Sequence, residues 1–409
     1  MKRTKVAFIG ASLRARPCAK ELTSRYFDSH EPCAIMDVDA GKMRGWNESL
    51  GMTLPAYTDF DIMCTETKPD LVFISTVDAY HAQYVVQALD RKISAISEKP
   101  LCINAIQSRD ILAAQRRNPE VFAATTHNAR YGVIARKLKE LLDEGAIGRI
   151  RSVDYSEMLD LRHGLSYFRR WNSRKALSGG LQIHKSSHHF DKLNWLLGSK
   201  VATLTASGRL VAYGSGAASA RSTHCHNCSN PCPYKAEFDP MTQNVFFKYK
   251  TPGSYTPDQC IYSPEIDIED YLNVGLEFAN GIPCAYHLVA HAHYEGEVIV
   301  FEGEEGRIEA FRRFFRVPGE TGSVHDETLK YEQTVTIFRW GNTEPEKHVL
   351  QSESGGHGGA DTRMYADLFG GNPSPSLATL EDGVQAVLVG AAINKALKSG
   401  VKTDVQSLL

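Results

Sequence analysis

The 409-residue sequence contains neither a long apolar run nor a long block of charge of one sign. No segment approaches the roughly 20 apolar residues that span a bilayer, and the apolar run "VAFIG" near the N-terminus is too short for the core of a signal peptide. The 46 basic and 48 acidic residues leave a net charge of −2, which argues against electrostatic binding to nucleic acid. We therefore expect a cytoplasmic protein that acts on small molecules and has no membrane or nucleic-acid partner.

Cysteine is also sparse, with nine residues in the whole chain. This number excludes the disulfide-dense pattern of small secreted proteins. Five of the cysteines stand in apolar surroundings and are expected to be reduced core residues: Cys18, Cys33, Cys64, Cys102 and Cys284.

The other four cysteines form a cluster in "THCHNCSNPCPY" and "PDQCIYSPE". Cys225, Cys228 and Cys232 have the spacing C-x2-C-x3-C, and Cys260 completes a set of four thiolates that can close tetrahedrally around zinc. We therefore expect a structural zinc site in this loop. An iron–sulfur cluster and free thiols are the alternatives, and a neighbouring histidine can replace one sulfur.

Strand and helix patterns alternate through the first 150 residues. Short β-branched apolar runs, such as "KVAFIG", "CAIMDVD" and "DLVFIST", are separated by segments with helical periodicity, such as "CAKELTSRYF" and "HAQYVVQALDRK". This alternation predicts an α/β domain with a parallel, doubly wound sheet. The chain is too long for one hydrophobic core, so a second domain is expected.

The first strand–helix turn is a candidate dinucleotide site. The G-x-G-x-x-G template falls on Gly10, Ser12 and Ala15, so one glycine is kept and two small residues still permit close approach of a pyrophosphate. Asp37, 27 residues after Gly10, is placed to bind the adenosine ribose and to repel a 2′-phosphate. We expect NAD rather than NADP, although Arg14 could partner a phosphate, and an ordinary βα turn is the alternative interpretation.

The segment "SEKPL" follows a predicted strand, at the sheet edge where open α/β folds bind ligands. A partly buried lysine there, Lys99, could serve as a general acid or base, because burial and cationic neighbours lower the pKa of an amine. A surface Glu–Lys pair before a proline turn is the alternative.

Several motifs in order resemble the Gfo/Idh/MocA oxidoreductases, a family that includes glucose–fructose oxidoreductase and inositol dehydrogenase. The motifs are "GASLRA", "DVD", "STVDAYH", "SEKPL", "THNARY", "LLDEGAIGRI", "SGGLQIHKSSHHFDKLNWLLG", "VGLEFANGIPCAYHLVA", "FEGEEGRIEA" and "TLEDGVQAVLVGAAINKALKSG". The segments "HKSSHHFD" and "GHGGAD", together with the cysteine loop, resemble a carbohydrate-acting subgroup of that family.

The resemblance implies a domain organisation and a homo-oligomer. Residues 1–127 would form an NAD-binding Rossmann domain, and residues 128–375 an α+β domain with a large, mostly antiparallel sheet. The cysteine-bearing segment near 221–262 would be an insertion in the second domain. Residues 376–409 would form a C-terminal helix that packs back toward the first domain.

The resemblance also implies hydride transfer between a nicotinamide and a ring hydroxyl carbon of a sugar, glycoside or cyclitol. It carries the acid/base roles onto Lys99 and His188. The family's aspartate four residues before that histidine is His184 here, so we expect His184 to be a third catalytic residue. On a single helix, residues 184, 188 and 191 would share one face. A metal bound by the two histidines is an alternative to metal-free acid/base catalysis.

The remaining site residues come from the same motifs and from the segment "YSEMLDLRHGLSYFRRWNSRKALSGG", which is dense in groups that hydrogen-bond or stack on sugars, a solvated strand and loop being the alternative. Cofactor contacts are expected from Gly10, Ser12, Leu13, Arg14, Asp37, Ser75, Thr76, Val77, His81, Glu98, Lys99 and Asn128. Substrate contacts are expected from Arg162, His163, Tyr167, Trp171, His189 and Asp191.

Two further functions are compatible with these residues. In the first, transient oxidation of a ring carbon permits elimination of a glycosidic bond, and the hydride then returns, so that cleavage depends on NAD without net redox change. In the second, the chain is a non-catalytic protein that responds to NAD(H).

Overall fold

The computed structural model describes residues 2–315 and 330–409. The N-terminal part contains six strands, β1–β6, at Thr4–Ile9, His30–Met36, Ala56–Tyr57, Leu71–Ile74, Ser94–Ser97 and Ala123–Thr125. The helices between and after them, α1–α6, are Ala15–Thr23, Ala40–Leu50, Phe60–Thr67, His81–Asp90, Ala105–Arg117 and Val133–Asp143.

These six strands form one parallel sheet in the order β3-β2-β1-β4-β5-β6. The central strand β4 is buried along its whole length, as expected for a parallel strand that is covered by helices on both faces. The predicted doubly wound α/β domain is therefore confirmed, and the two-residue strand β3 is an addition that the sequence pattern did not indicate.

The second part contains strands β7–β15 and helices α7–α13. The strands are Ile150–Asp160, Val201–Arg209, Tyr271–Phe278, Pro283–Ala292, Glu295–Gly303, Gly306–Phe315, Lys330–Arg339, Glu346–Val349 and Thr403–Asp404. The helices are His163–Phe168, Lys175–Ser178, Leu181–His184, Ser187–Leu197, Pro240–Phe246, Ala360–Phe369 and Leu380–Ser399.

The nine strands form one sheet in the order β14-β13-β12-β11-β7-β10-β9-β8-β15. Only β7 and β10 pair in parallel, so the sheet is mostly antiparallel, as predicted. Buried and exposed residues alternate along β9, which shows that the sheet has one face against the core and one face toward solvent.

Two C-terminal helices connect the domains. The long helix α13 contacts α5 and β6 of the parallel sheet domain as well as α10 and β8 of the second domain. The shorter helix α12 buries Met364, Tyr365 and Phe369 in the same apolar cluster as Phe8 and Phe73 of the first sheet. The two domains therefore share apolar cores, and the segment that precedes α12 is held close to the first sheet.

None of the described helices combines the length and the apolar character needed to cross a bilayer.

Candidate active site

A continuous cavity of about 2420 Å³ lies between the two domains. On one side it is lined by residues that follow the carboxyl ends of the parallel strands, including Ser12, Asp37, Val77 and Lys99. Helices and strands of the second domain form the other side. A single drug-sized ligand fills roughly 300–1,000 Å³, so this cavity has room for a dinucleotide and a second molecule beside it.

The turn between β1 and α1 forms the first wall of the cavity. Gly10 has φ +98°, and a Cβ atom there would lie 2.5 Å from the carbonyl oxygen of Ser75. The glycine is thus required by its backbone conformation and by its close approach to the chain after β4. The first N–H groups of α1 have no partners within that helix, and Ser12, Leu13 and Arg14 face the cavity. This geometry fits a pyrophosphate, which binds at helix N-termini.

Asp37 lies at the end of β2 and is 7% exposed. Its Oδ2 atom accepts a hydrogen bond from the Ala11 backbone N–H at 2.8 Å and from Lys42 Nζ at 2.7 Å. The carboxylate is therefore fixed beside the β1–α1 turn, where dinucleotide-binding folds bind the adenosine ribose.

Arg14 is paired with carboxylates of both domains. Its guanidinium donates to both oxygens of Asp361, at 2.9 Å each, and its Nε donates to Glu98 at 3.0 Å. Asn128 donates to the same Asp361 at 2.7 Å. Arg14 is therefore held by the "GHGGAD" segment of the second domain, and its charge is already balanced without a phosphate.

Lys99 lies at the centre of the cavity, directly after β5. Its ammonium donates to the backbone oxygen of His184 at 3.1 Å. Burial lowers the pKa of Lys99 to about 8, although the carboxylates of Asp78 and Glu98 oppose this effect. Near neutral pH such an amine can both give and take a proton.

His184 forms a pair with Asp78, a residue that was not among the predicted site residues. The Nδ1 atom of His184 is 2.5 Å from Asp78 Oδ2, and Asn172 Nδ2 lies 3.1 Å from the Nε2 atom. The rings of Tyr167 and Trp171 pack edge-on against the imidazole. Burial raises the pKa of Asp78 and lowers that of His184, and the short contact between the two atoms is that of a hydrogen bond.

His188 has a different environment. Its Nδ1 atom is buried and has no hydrogen-bond partner among the described residues, while its ring packs against His127 with centroids 5.8 Å apart. Burial, reinforced by the positive charge of Lys99, holds the pKa of His188 well below its ordinary value. The ring is therefore a neutral imidazole that lines the cavity, while its unpartnered Nδ1 atom is itself buried.

The second domain contributes buried ion pairs to the far wall. Burial by itself lowers the pKa of the Lys185 ammonium. The carboxylate of Glu157, 3.0 Å away, outweighs this effect and raises that pKa above its ordinary value. Likewise, burial opposes ionisation of Glu297, but Arg312 and Lys192 lower its pKa to about 2. These groups are therefore charged, and they make this wall strongly polar.

A hydrogen-bonded chain on the same wall links Glu295, His163 and Tyr167. His163 Nδ1 lies 2.7 Å from Glu295 Oε1, and its Nε2 lies 2.7 Å from the Tyr167 hydroxyl. His189 is close by, with Nδ1 2.8 Å from the hydroxyl of Tyr286. The chain presents fixed donors and acceptors to a polar ligand.

Most of the predicted ligand contacts are brought together in this cavity. The cofactor residues other than Gly10 line it, as do Arg162, His163, Tyr167, Trp171 and His189 of the expected substrate set. His81 also lies there, although its two ring nitrogens contact the carbonyl oxygens of Pro100 and Thr76. It therefore holds the "SEKPL" loop in place.

Asp191 is the predicted site residue that lies elsewhere. The expectation of one continuous helix was wrong: α9 ends at His184 and α10 begins at Ser187, so residues 184, 188 and 191 do not share a face. Asp191 accepts two hydrogen bonds from Arg130, at 2.8 and 2.6 Å, and is fully buried.

The zinc expectation is not supported. Within residues 2–315 and 330–409, no group of three or more histidine, cysteine, aspartate or glutamate side chains is arranged to hold a metal ion. Cys225, Cys228, Cys232 and Cys260 line one small cavity but are all free thiols. A metal held by His184 and His188 is not supported either. His184 pairs with Asp78, and among the described residues the two histidines do not belong to a group arranged to hold a metal ion.

Residues that the sequence reasoning missed share a recognisable signal. Asp78 lies four residues after the end of β4, at the start of a short 3-10 helix within the "STVDAYH" motif. Glu295 and Glu297 are two residues apart on β11, so they face the same side of the sheet. Acidic residues at strand ends, or on the core face of an apolar strand, could have identified these positions.

The fold and the cavity define an oxidoreductase with an NAD-binding Rossmann domain, and comparisons with known proteins agree. Residues 4–126 match the domain described as "Oxidoreductase family, NAD-binding Rossmann fold". Residues 139–405 match "Oxidoreductase family, C-terminal alpha/beta domain". The chain belongs to the Gfo/Idh/MocA oxidoreductase family, which confirms the resemblance inferred from the sequence motifs.

Individual relatives are similar to different extents. YteT of Bacillus subtilis (strain 168) is 31% identical over 412 residues, which cover 94% of each chain. Myo-inositol 2-dehydrogenase of Thermotoga maritima is 26% identical over 178 residues, or 44% of this chain and 51% of that protein. The WlbA dehydrogenase from Bordetella pertussis, solved with NADH and UDP-GlcNAcA, has a TM-score of 0.69 at 14% identity and covers 98% of this chain and 99% of its own. This last likeness concerns the fold alone.

The burial of Asp191 generates a prediction about stability. Replacing Asp191 by Asn leaves the buried Arg130 guanidinium with only the more exposed Asp382, 3.4 Å away, as counter-charge, and the loss of a buried partner costs up to about 3–5 kcal/mol. The free energy of unfolding should fall accordingly in urea denaturation. The matched control is Asp90→Asn, which breaks the exposed pair with Arg117 and should cost less than about 1 kcal/mol. Equal losses for the two variants would contradict this assignment.

Proposed function

We propose that the protein is an NAD-dependent oxidoreductase that moves a hydride between the nicotinamide and a ring hydroxyl carbon of a sugar, glycoside or cyclitol. The observation that carries this proposal is that Lys99, with its pKa of about 8, and the neutral imidazole of His188 line the same cavity of an NAD-binding oxidoreductase. Bound NAD would supply the hydride acceptor, and the chain's own residues would handle the proton.

Lys99 is the proposed base for the substrate hydroxyl. Removal of the hydroxyl proton makes hydride departure from the same carbon easier, and a base works best when its pKa is near the working pH. Its neutral amine accepts that proton at Nζ. The neutral imidazole of His188 would hold the hydroxyl in line and pass the proton on.

His184 is better suited to positioning than to direct proton transfer. Both of its ring nitrogens already have neighbours, Asp78 and Asn172, and its backbone oxygen accepts the hydrogen bond from Lys99. Because Asp78 belongs to the first domain and His184 to the second, the pair keeps Lys99 aligned with the substrate wall.

Carbohydrate recognition is assigned to the second-domain wall. Sugars bind to planar hydrogen-bonding groups next to an aromatic surface. Arg162, His163 and His189 supply the polar groups there, and Tyr167 and Trp171 supply aromatic rings. The curated relatives include a myo-inositol 2-dehydrogenase, which supports a polyhydroxylated ring as substrate.

NAD is proposed in preference to NADP for an electrostatic reason. Asp37 stands at the ribose position, and Arg14, the one cation of the turn, is occupied by Asp361 and Glu98. A 2′-phosphate would therefore meet the carboxylate of Asp37, with which Lys42 is already paired. The homo-oligomer implied by the family resemblance stays a prediction.

A second candidate is glycoside cleavage without net redox change. If the Asp78–His184 pair exchanged its proton with the substrate instead of positioning Lys99, the cavity would contain more proton-transfer groups than a simple alcohol oxidation requires. Oxidation of a ring hydroxyl to a ketone would acidify the adjacent C–H bond. Loss of that proton and of the glycosidic oxygen would follow, and the bound NADH would return its hydride to the ketone.

A panel of free sugars, cyclitols and glycosides tests the proposal. With NAD present, we expect steady NADH absorbance for at least one substrate if net oxidation is the reaction. Release of the aglycone without accumulating NADH would select the redox-neutral route instead. Loss of all turnover when Lys99 and His188 are both replaced is expected in either case, and full activity of that double variant would indicate a non-catalytic NAD(H)-responsive protein.

Lys99 should determine the pH dependence of oxidation. The reactive form is the neutral amine, so kcat/KM should rise as the pH increases through about 8. Lys99→Met should reduce kcat by about 10²–10⁴-fold. Lys99→Arg should be equally inactive, because a guanidinium does not lose its proton at neutral pH. Lys200→Met, at an exposed surface position, is the control, and an unchanged pH profile in Lys99→Met would refute the assignment.

The roles of the two histidines can be separated by mutant cycles on kcat/KM. His184→Asn and Asp78→Asn break one pair, so their double variant should be little worse than either single variant. His188→Asn acts on a separate group, so it should lower kcat/KM further when it is combined with His184→Asn or with Asp78→Asn. The opposite outcome would make His184 itself the proton acceptor. In that case His184→Asn would lower kcat/KM as much as His188→Asn does, and the effects of His184→Asn and Asp78→Asn would be additive.

A further inference from the structure

Part of the second domain docks on the helix that follows Asp37. This part is residues 239–250, which comprise α11 and the turn after it, within the segment between β8 and β9. Its contact surface on the first domain is α2, the helix that begins directly after the β2 end. We refer to residues 239–250 as the clasp.

The contact is made backbone to backbone. A Cβ atom on Gly41 would lie 2.2 Å from the carbonyl oxygen of Tyr249, and one on Gly45 would lie 2.3 Å from that of Asn244. The two glycines are four residues apart, so they share one face of α2. Neither has a left-handed φ, and glycine is otherwise unfavourable inside a helix. The close approach of the clasp therefore accounts for both.

Side chains strengthen the same contact. The Tyr249 hydroxyl donates to Glu48 at 2.6 Å, and Lys248 forms an ion pair with the same carboxylate. The guanidinium of Arg44 lies over the Tyr249 ring, 4.3 Å from its centroid. The clasp is thus attached to α2 along more than two helical turns.

The other side of the clasp faces the large cavity. Asp239, Met241, Thr242 and Phe246 line it together with Asp37. Lys42, which donates to Asp37, has its Nζ atom 5.7 Å from the centroid of the Phe246 ring. An aromatic ring next to the ribose position offers a surface on which a base can stack.

We propose that the clasp covers the adenosine half of the dinucleotide site, so that release of NAD(H) requires the clasp to separate from α2. This inference rests on the proposed function for the identity of the cofactor. It adds that the adenosine site is built from both domains, with Phe246 as a further cofactor-contacting residue. It also implies that a dinucleotide exchanges slowly with solvent, which suits a reaction that returns its hydride within one turnover.

The test measures the dissociation rate of NADH from the full chain, by its fluorescence change when excess NAD is added. Gly45→Leu should push the clasp away while it preserves helix propensity in α2, and we expect dissociation to be at least about tenfold faster. Tyr249→Ala removes only side-chain contacts and should accelerate release about threefold or more. Gly216→Leu is the matched control, because no described atom lies within 4 Å of a Cβ there.

Reduced nicotinamide mononucleotide lacks the adenosine half of NADH. Its dissociation rate therefore distinguishes loss of the clasp contact from general damage to the binding site. Its dissociation should be the same in wild type, Gly45→Leu and Tyr249→Ala, provided that their circular dichroism spectra coincide. The clasp proposal would be overturned if NADH dissociated from both variants within twofold of the wild-type rate. It would also be overturned if the mononucleotide dissociated faster by the same factor as NADH. A wild-type chain that binds neither NADH nor NADPH would instead overturn the cofactor assignment itself.

Discussion

Removal of water from the Lys99 amine is the constraint on which the candidate site depends. An exposed ammonium has a pKa of about 10.4 and is a poor base at neutral pH. Here the second domain closes over the end of β5, and burial brings the pKa of this amine to about 8. Without the second domain the same lysine would be an ordinary surface cation, so its lowered pKa is a property of the domain arrangement.

The same closure requires that other buried charges have partners. Isolated charges in a dry interior cost several kcal/mol each, whereas paired and hydrogen-bonded charges are tolerated. Arg14 is balanced by Asp361 and Glu98, and Lys185 by Glu157. The cavity wall is therefore a network of opposite charges that also fixes the positions of the two domains relative to each other.

The fold was largely predictable from the sequence, because periodicity reports directly on which residues are buried. Fully apolar runs such as β4 indicated parallel strands, and the alternating pattern of β9 agrees with a sheet that has one exposed face. The site was predictable in part. Lys99 and the residues of the β1–α1 turn lie at strand ends, where the position in the chain determines the position in the fold.

The remaining assignments depended on which groups meet across the chain. Asp78 and His184 are 106 residues apart, and Asp191 meets Arg130 across 61 residues. Local sequence places a charged residue on a helix but does not select its partner. The four cysteines had metal-like spacing and line one small cavity, yet the described side chains do not form a group arranged to hold a metal ion, and spacing alone does not ensure that arrangement.

The sequence by itself determined the doubly wound domain, the dinucleotide turn at Gly10 and the family, since these depend on local pattern and on the order of motifs. Only the tertiary structure decided that His184 pairs with Asp78, that Asp191 is buried with Arg130 and that the clasp docks on α2. The physical reason is that charge pairing, burial and close backbone contact depend on distances between residues that are far apart in the chain, and these distances exist only after the two domains have packed together.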